Sequence, residues 1–192
     1  MRYRTVVADP PWPYRGADRL LGPTQAQQPN SWDSPLAGVG ARKRYGAMSL
    51  EDLKALRPEA EDDAHLFLWT TNAFMVEAHE LALAWGFAPK TILTWVKTKH
   101  EGELLRVSMK TGHYFRGATE HIIFGVRGSL RLQTKAGLPT AFFWPRLGHS
   151  VKPDAFYDIV EQASPYLELF ARRNRLGWDT WGNECLDSGI QL

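Results

Sequence analysis

The chain has 192 residues, a formal net charge of +2, 44% hydrophobic and 23% charged residues, and one cysteine against eight Trp, nine Phe and six Tyr. A chain of this length buries roughly 70% of the surface it exposes when unfolded, so one domain over residues 1–192 needs no disulfide or metal to be stable. Cys185 has no partner in the chain, the histidines at 65, 79, 100, 113, 121 and 149 show no HExxH or paired-Cys spacing, and no apolar run reaches the ~18 residues of a membrane span. The expectation is therefore a cytoplasmic protein without a metal site.

In chain order, Arg4–Ala8, His65–Trp69, Thr91–Val96, His121–Gly125 and Tyr166–Phe170 are β-branched or aromatic runs of strand length. Helical patterns fall between them. Ser49 caps one, with Glu51 and Asp52 in its first turn. Asn72 opens a second through Trp85, which repeats Phe74, Met75, Ala78, Leu81 and Trp85 at helical spacing and stops at Gly86. A third begins at Pro153-Asp154 with Phe156, Ile159, Val160 and Ala163 on one face. Strands alternating with helices predict an α/β fold with a mostly parallel sheet covered on both sides. Three long loops, 13–44, 97–119 and 128–149, interrupt the pattern and are the expected substrate-binding loops.

The first strand runs directly into Asp9-Pro10-Pro11-Trp12. A carboxylate thus stands at the tip of a buried strand, followed by two residues of fixed φ without an N–H, whose neighbouring carbonyls are expected to point outward as rigid acceptors. Such a group suits a planar aromatic amine. The exocyclic amine of adenine is a poor nucleophile because its lone pair is delocalised into the ring, so a catalyst must accept hydrogen bonds from both N–H groups while an aromatic face stacks on the base. The candidate catalytic residues are Asp9, Pro10, Pro11 and Trp12.

Asp9-Pro10-Pro11-Trp12 resembles the signature of the DPPW-type adenine-N6 methyltransferases, a family that includes the catalytic subunit of the eukaryotic messenger-RNA adenosine methyltransferase and bacterial and phage DNA-modifying enzymes. Tyr45-Gly46-Ala47-Met48, Trp95-Val96-Lys97-Thr98, Gly112-His113 through Glu120-His121, His149-Ser150-Val151-Lys152-Pro153, Glu168-Leu169-Phe170-Ala171-Arg172, and Gly177-Trp178 with Gly182-Asn183-Glu184 are similar to further segments of it, in the same order. The resemblance implies S-adenosylmethionine as methyl donor and a Rossmann-like sheet in permuted order, catalytic strand first and cofactor-binding strand last. It also implies that Asp9 accepts from the target amine beside the cofactor, with the Pro10 carbonyl as second acceptor, and that Trp12 and Tyr45 flank the base. Lys152 would meet the cofactor carboxylate, Arg172, Asn174 and Asn183 its ribose, and Leu169, Phe170 and Glu184 the surrounding pocket. Glu168 is expected to orient its neighbours or to hydrogen-bond in the core, and Trp95 to be core. The lysine before a helix start opposes the helix dipole, so an anionic partner is expected for Lys152.

Arg42, Lys43, Arg44, Lys97, Lys99, Arg106, Lys110 and Arg116 lie in the first two long loops, interleaved with aromatics. Charge for phosphates and faces for bases is the makeup of a nucleic-acid channel. By analogy with the short bacterial and phage enzymes, the resemblance favours adenine N6 in DNA. RNA adenosine N6 or cytosine N4, or a non-catalytic nucleic-acid-binding partner subunit, are the alternatives, and a homo- or heterodimer is compatible with each. The cytoplasm would be that of a bacterium, or of a host if the chain is phage-encoded.

Overall fold

A computed structural model describes residues 2–13, 47–100, 114–132, 137–147, 151–161, 166–171 and 173–182. The strands β1 (Tyr3–Ala8), β2 (Ala60–Thr70), β3 (Ala88–Thr98), β4 (Thr119–Arg127), β5 (Ala141–Pro145), β6 (Tyr166–Leu169) and β7 (Trp178–Trp181) form one sheet in the order β5-β3-β4-β2-β1-β6-β7. β1 pairs in parallel with β2 and β6, β6 with β7, and β3 with β5, whereas β4 is antiparallel to β2 and β3. Six strands therefore point one way and β4 alone is reversed. The chain is a mixed α/β protein of the Rossmann-like class that the sequence predicts.

Side-chain alternation sends successive strand residues to opposite faces. Val6, Ala8, Leu66, Leu68, Leu167 and Leu169 pack on one face beneath the helices α1 (Leu50–Ala55) and α2 (Met75–Ala84). Val7, Phe67, Trp69, Trp95 and Ile122 pack on the other beneath α3 (Asp154–Val160), which contributes Phe156, Tyr157 and Val160. Trp69, Trp85 and Trp95 are core residues.

Four expectations change. Asn72 does not cap α2: it lies inside a 3-10 turn, Asn72–Phe74, entered from Thr71 with no side-chain cap. Segment 128–149 contains β5, whose Phe142–Trp144 rings stack at 4.6 Å and whose Trp144 carbonyl accepts the Trp95 indole N–H. β3 is longer than expected and carries Lys97 within it, so that residue is strand rather than loop. The strand expected to be last, β6, is followed by β7 at the sheet edge. Edge strands of four or five residues are too short to leave a strong pattern in sequence.

Candidate active site

β1 ends at Ala8 in the middle of the sheet, so Asp9 emerges at the edge where the parallel strands have their carboxyl ends. In open α/β sheets that edge is where ligands bind. The Asp9 N–H donates to the Leu169 carbonyl at 3.3 Å, which fixes the backbone of the tip. The Pro10 carbonyl accepts the Trp12 N–H at 2.8 Å across a three-residue turn, and the Pro11 carbonyl accepts the Met48 N–H at 3.2 Å. Neither carbonyl is an idle outward acceptor, although each keeps a second lone pair. The Pro11–Met48 bond joins Asp9–Trp12 to the segment that leads into α1.

The turn also decides the fate of Trp12. Its ring is only 6% exposed, stacks on Phe74 at 5.5 Å and 11°, and donates its indole N–H to the Trp69 carbonyl at 3.1 Å. One face and the polar edge are occupied by the core, so here Trp12 is a strut beneath Asp9 rather than an open stacking platform. Tyr45, the other residue expected at the base, lies outside the described residues.

Above this strut runs a chain of ion pairs. Lys152 Nζ stands 3.1 Å from Asp9 Oδ1 and 2.9 Å from Glu120 Oε2, and Glu120 Oε1 pairs with Lys97 Nζ. The four residues come from the tip of β1, the segment before α3, the start of β4 and the end of β3. Only the Asp9 side chain, at 21%, is appreciably exposed; Lys97, Glu120 and Lys152 stand at 5%, 13% and 9%. Both ammonium groups lie over indole rings, Lys152 at 4.5 Å from Trp69 and Lys97 at 4.7 Å from Trp95. Burial pushes the Glu120 carboxyl up, but Lys152 and Lys97 outweigh it and bring it down to about 2. Burial likewise opposes the Lys152 charge, and Asp9 and Glu120 overcome it and hold the amine above its ordinary value. The anion that a lysine before a helix start requires is thus supplied twice from within the chain.

The remaining site residues divide. Lys97, expected on nucleic acid, is buried in the ion-pair chain, because it sits within β3 rather than beyond it. Lys99 and Arg116 are exposed at the ends of β3 and β4 on the Asp9 edge. Leu169 is wholly buried and takes part through its carbonyl. Phe170 follows with φ 61, a left-handed conformation rare for an aromatic residue, and meets Trp181 edge-on at 5.4 Å. Asn174 accepts from the Thr180 hydroxyl at 3.2 Å. Glu168 accepts from the Tyr157 hydroxyl at 2.6 Å inside the core, and burial raises its carboxyl. Arg172, Asn183, Glu184, Arg42, Lys43, Arg44, Arg106 and Lys110 lie outside the described residues. Among the described residues no group of three or more His, Cys, Asp or Glu side chains could hold a metal ion. Glu120 is the residue that sequence reasoning passed over: its motif was visible, but its link to Lys97 and Lys152 needs three separate segments brought together.

The family model MT-A70 matches residues 3–184. The chain belongs to the MT-A70 family. Members are S-adenosylmethionine-dependent adenine-N6 methyltransferases. A Type II methyltransferase of a Mycoplasma species, M.MunI, is 30% identical over the whole of this chain and 81% of its own length. An N(6)-adenosine-methyltransferase MT-A70-like protein of Drosophila melanogaster is 30% identical and the human N(6)-adenosine-methyltransferase catalytic subunit METTL3 28% identical, again over the whole chain. The chain spans 28% and 29% of the lengths of those two relatives.

The chemistry at the Asp9 edge fits the MT-A70 methyl donor. Asp9 is a carboxylate suited to an ammonium or sulfonium, and Lys152 an ammonium suited to a carboxylate. Beside them the loops after β6 and β7 meet so closely that a Cβ on Gly182 would stand 2.2 Å from the Ala171 carbonyl oxygen.

Proposed function

We propose that this chain methylates the N6 amine of adenine in DNA, as one cytoplasmic domain spanning residues 1–192. The observation that carries the reading is Asp9: a partly exposed carboxylate at the tip of the interior strand β1, one oxygen facing Lys152 at 3.1 Å, in a chain of the MT-A70 family. S-adenosylmethionine supplies an electrophilic methyl group on a sulfonium. Asp9 accepts one amine N–H, and the second lone pair of the Pro10 carbonyl accepts the other. The two acceptors orient the amine lone pair toward the donor, and orientation of this kind is a large part of the rate gain. The N–methyl bond would form as the donor's methyl–sulfur bond breaks with its electron pair left on a neutral thioether sulfur, and the Asp9 carboxylate would stabilise the positive nitrogen until its surplus proton passes to solvent. Lys152 would hold the donor's carboxylate, and Phe170, Asn174, Arg172, Asn183 and Glu184 would serve its nucleoside. Lys99 and Arg116, with the basic residues of the loops, hold phosphates.

DNA is favoured because the Type II methyltransferase is matched over 81% of its length, whereas the two relatives named for adenosine are matched over 28% and 29% of theirs. The test is mass spectrometry of nucleosides from DNA and RNA incubated with the protein and S-adenosylmethionine. N6-methyldeoxyadenosine is expected, and its loss in Asp9→Ala. N6-methyladenosine or N4-methyldeoxycytidine would replace the substrate, and nucleic-acid binding with no methylated product would make the chain a binding subunit.

A further inference from the structure

Lys97 has no place in the mechanism just described, yet it is a buried lysine joined through Glu120 and Lys152 to the reacting carboxylate. We infer that Lys97 is a positioning residue for methyl transfer, acting through Glu120 and Lys152 to keep the Asp9 carboxylate available to the amine. The inference rests on the methyltransferase reading of this site.

The order of the groups is Asp9, Lys152, Glu120, Lys97, with separations of 3.1 Å between the first two and 2.9 Å between the next two. Signs alternate and sum to zero. Each interior group is held from both sides, Lys152 by two carboxylates and Glu120 by two ammonium groups. Facing Glu120 are Lys97 from β3 and Lys152 from the segment before α3. His121 neighbours it on β4, with its ring nitrogens 3.1 Å and 3.2 Å from the hydroxyls of Thr94 and Thr119. Among the described residues Lys152 links it to Asp9.

Removing the Lys97 charge leaves two carboxylates sharing one ammonium in a buried site. The surplus negative charge is relieved by a proton, and Glu120, the more buried carboxylate, is where burial most favours uptake. A protonated Glu120 holds Lys152 weakly. The Lys152 ammonium then turns wholly to Asp9 and competes with the amine N–H for its oxygens. With Lys97 in place the two lysines together keep Glu120 ionised far below neutral pH. A lysine that merely tied β3 to β4 would affect stability and leave the pH dependence of the chemistry alone.

The experiment compares wild type, Lys97→Met and Lys97→Arg in methyl transfer between about pH 5 and pH 9, with kcat and KM for S-adenosylmethionine read separately. In Lys97→Met the acid limb of kcat is expected to move up by about 1–3 pH units, with activity recovering toward high pH and KM little changed. Lys97→Arg is expected to restore the wild-type limb. A uniform loss at all pH values, or an arginine variant that behaves like the methionine one, overturns the role of Lys97. Should Lys97→Met not fold, carboxyl NMR of the wild type decides: Glu120 titrating well below the usual glutamate range supports the inference, and titration within that range overturns it. A wild type that methylates neither DNA nor RNA overturns the methyltransferase reading itself, whereas an active wild type with an unmoved limb in Lys97→Met overturns only the positioning role.

Discussion

Lys152 shows how far a single residue's role depends on its neighbours. Its position before α3 asks for an anion, and the resemblance offers a cofactor carboxylate; the structure adds Asp9 and Glu120, both within 3.1 Å. Lys152→Ala would leave buried Glu120 and partly exposed Asp9 with only Lys97 to balance them. It is expected to destabilise the fold by about 3–5 kcal/mol in denaturant titrations as well as weaken donor binding. An unchanged unfolding midpoint would make Lys152 a ligand contact alone. Asp9→Asn keeps the shape but removes the charge proposed to stabilise the methylated nitrogen. Its methyl transfer is expected to fall by about 10²-fold or more with circular dichroism unaltered, and near-normal turnover would remove Asp9 from the chemistry. Asp9 and Lys152 were legible in sequence because each sits in a local motif. Glu120 and Lys97 were not assigned together, because their pairing spans two strands that only the β3–β4 register brings side by side.

At the scale of elements, the capping signal at Ser49 is one that the chain satisfies locally. Ser49 forms a capping box with Asp52 at the start of α1, its hydroxyl accepting the Asp52 N–H at 3.1 Å. Ser49→Ala is expected to cost about 1 kcal/mol, and because Met48 ties this segment to Pro11, to loosen the Asp9 turn as well. Hydrogen exchange of the α1 and Met48 amides would report it; unchanged protection would separate the two segments. Asn72 carried the same kind of signal, but the preference was overridden by a 3-10 turn, in which the Thr70 hydroxyl donates to the Phe74 carbonyl at 3.1 Å. At the far end of α2, Gly86 takes φ 80 and Arg127 donates to the Trp85 carbonyl and lies over Phe87 at 4.5 Å. Gly182 is constrained differently, by the closeness of the Ala171 backbone rather than by its own dihedral. Gly182→Ala is expected to part the loops after β6 and β7, lowering the melting temperature and the affinity for S-adenosylmethionine in calorimetry. Wild-type values for both would mean the loops yield without consequence.

For the whole molecule, pH dependence follows from what the sheet buries. Burial lowers the basicity of His65 and His121 below the ordinary 6.5, and the two lysines hold Glu120 at about 2 against an ordinary 4.5. All three groups bind protons more readily when unfolded, so each contributes stability at high pH that is lost on acidification. The loss is expected to begin below about 6.5 through the histidines and to continue from about 4.5 toward 2 through Glu120, while Glu168, whose carboxyl burial raises, takes up its proton more readily when folded and offsets part of it. Melting temperatures measured from about pH 8 to pH 3 check it, and a flat profile would show that these groups remain solvated.

The sequence by itself determined the alternation of strands and helices, the first-strand carboxylate and the family resemblance, because periodicity, capping and contiguous motifs are properties of neighbouring residues. The tertiary structure decided that Trp12 supports the turn from below, that Lys97 is interior, that β4 runs against its six companions, and that one line of charges joins four distant segments. Those outcomes depend on which residues the sheet places opposite one another and which side chains it withdraws from water, and no window along the chain contains that information.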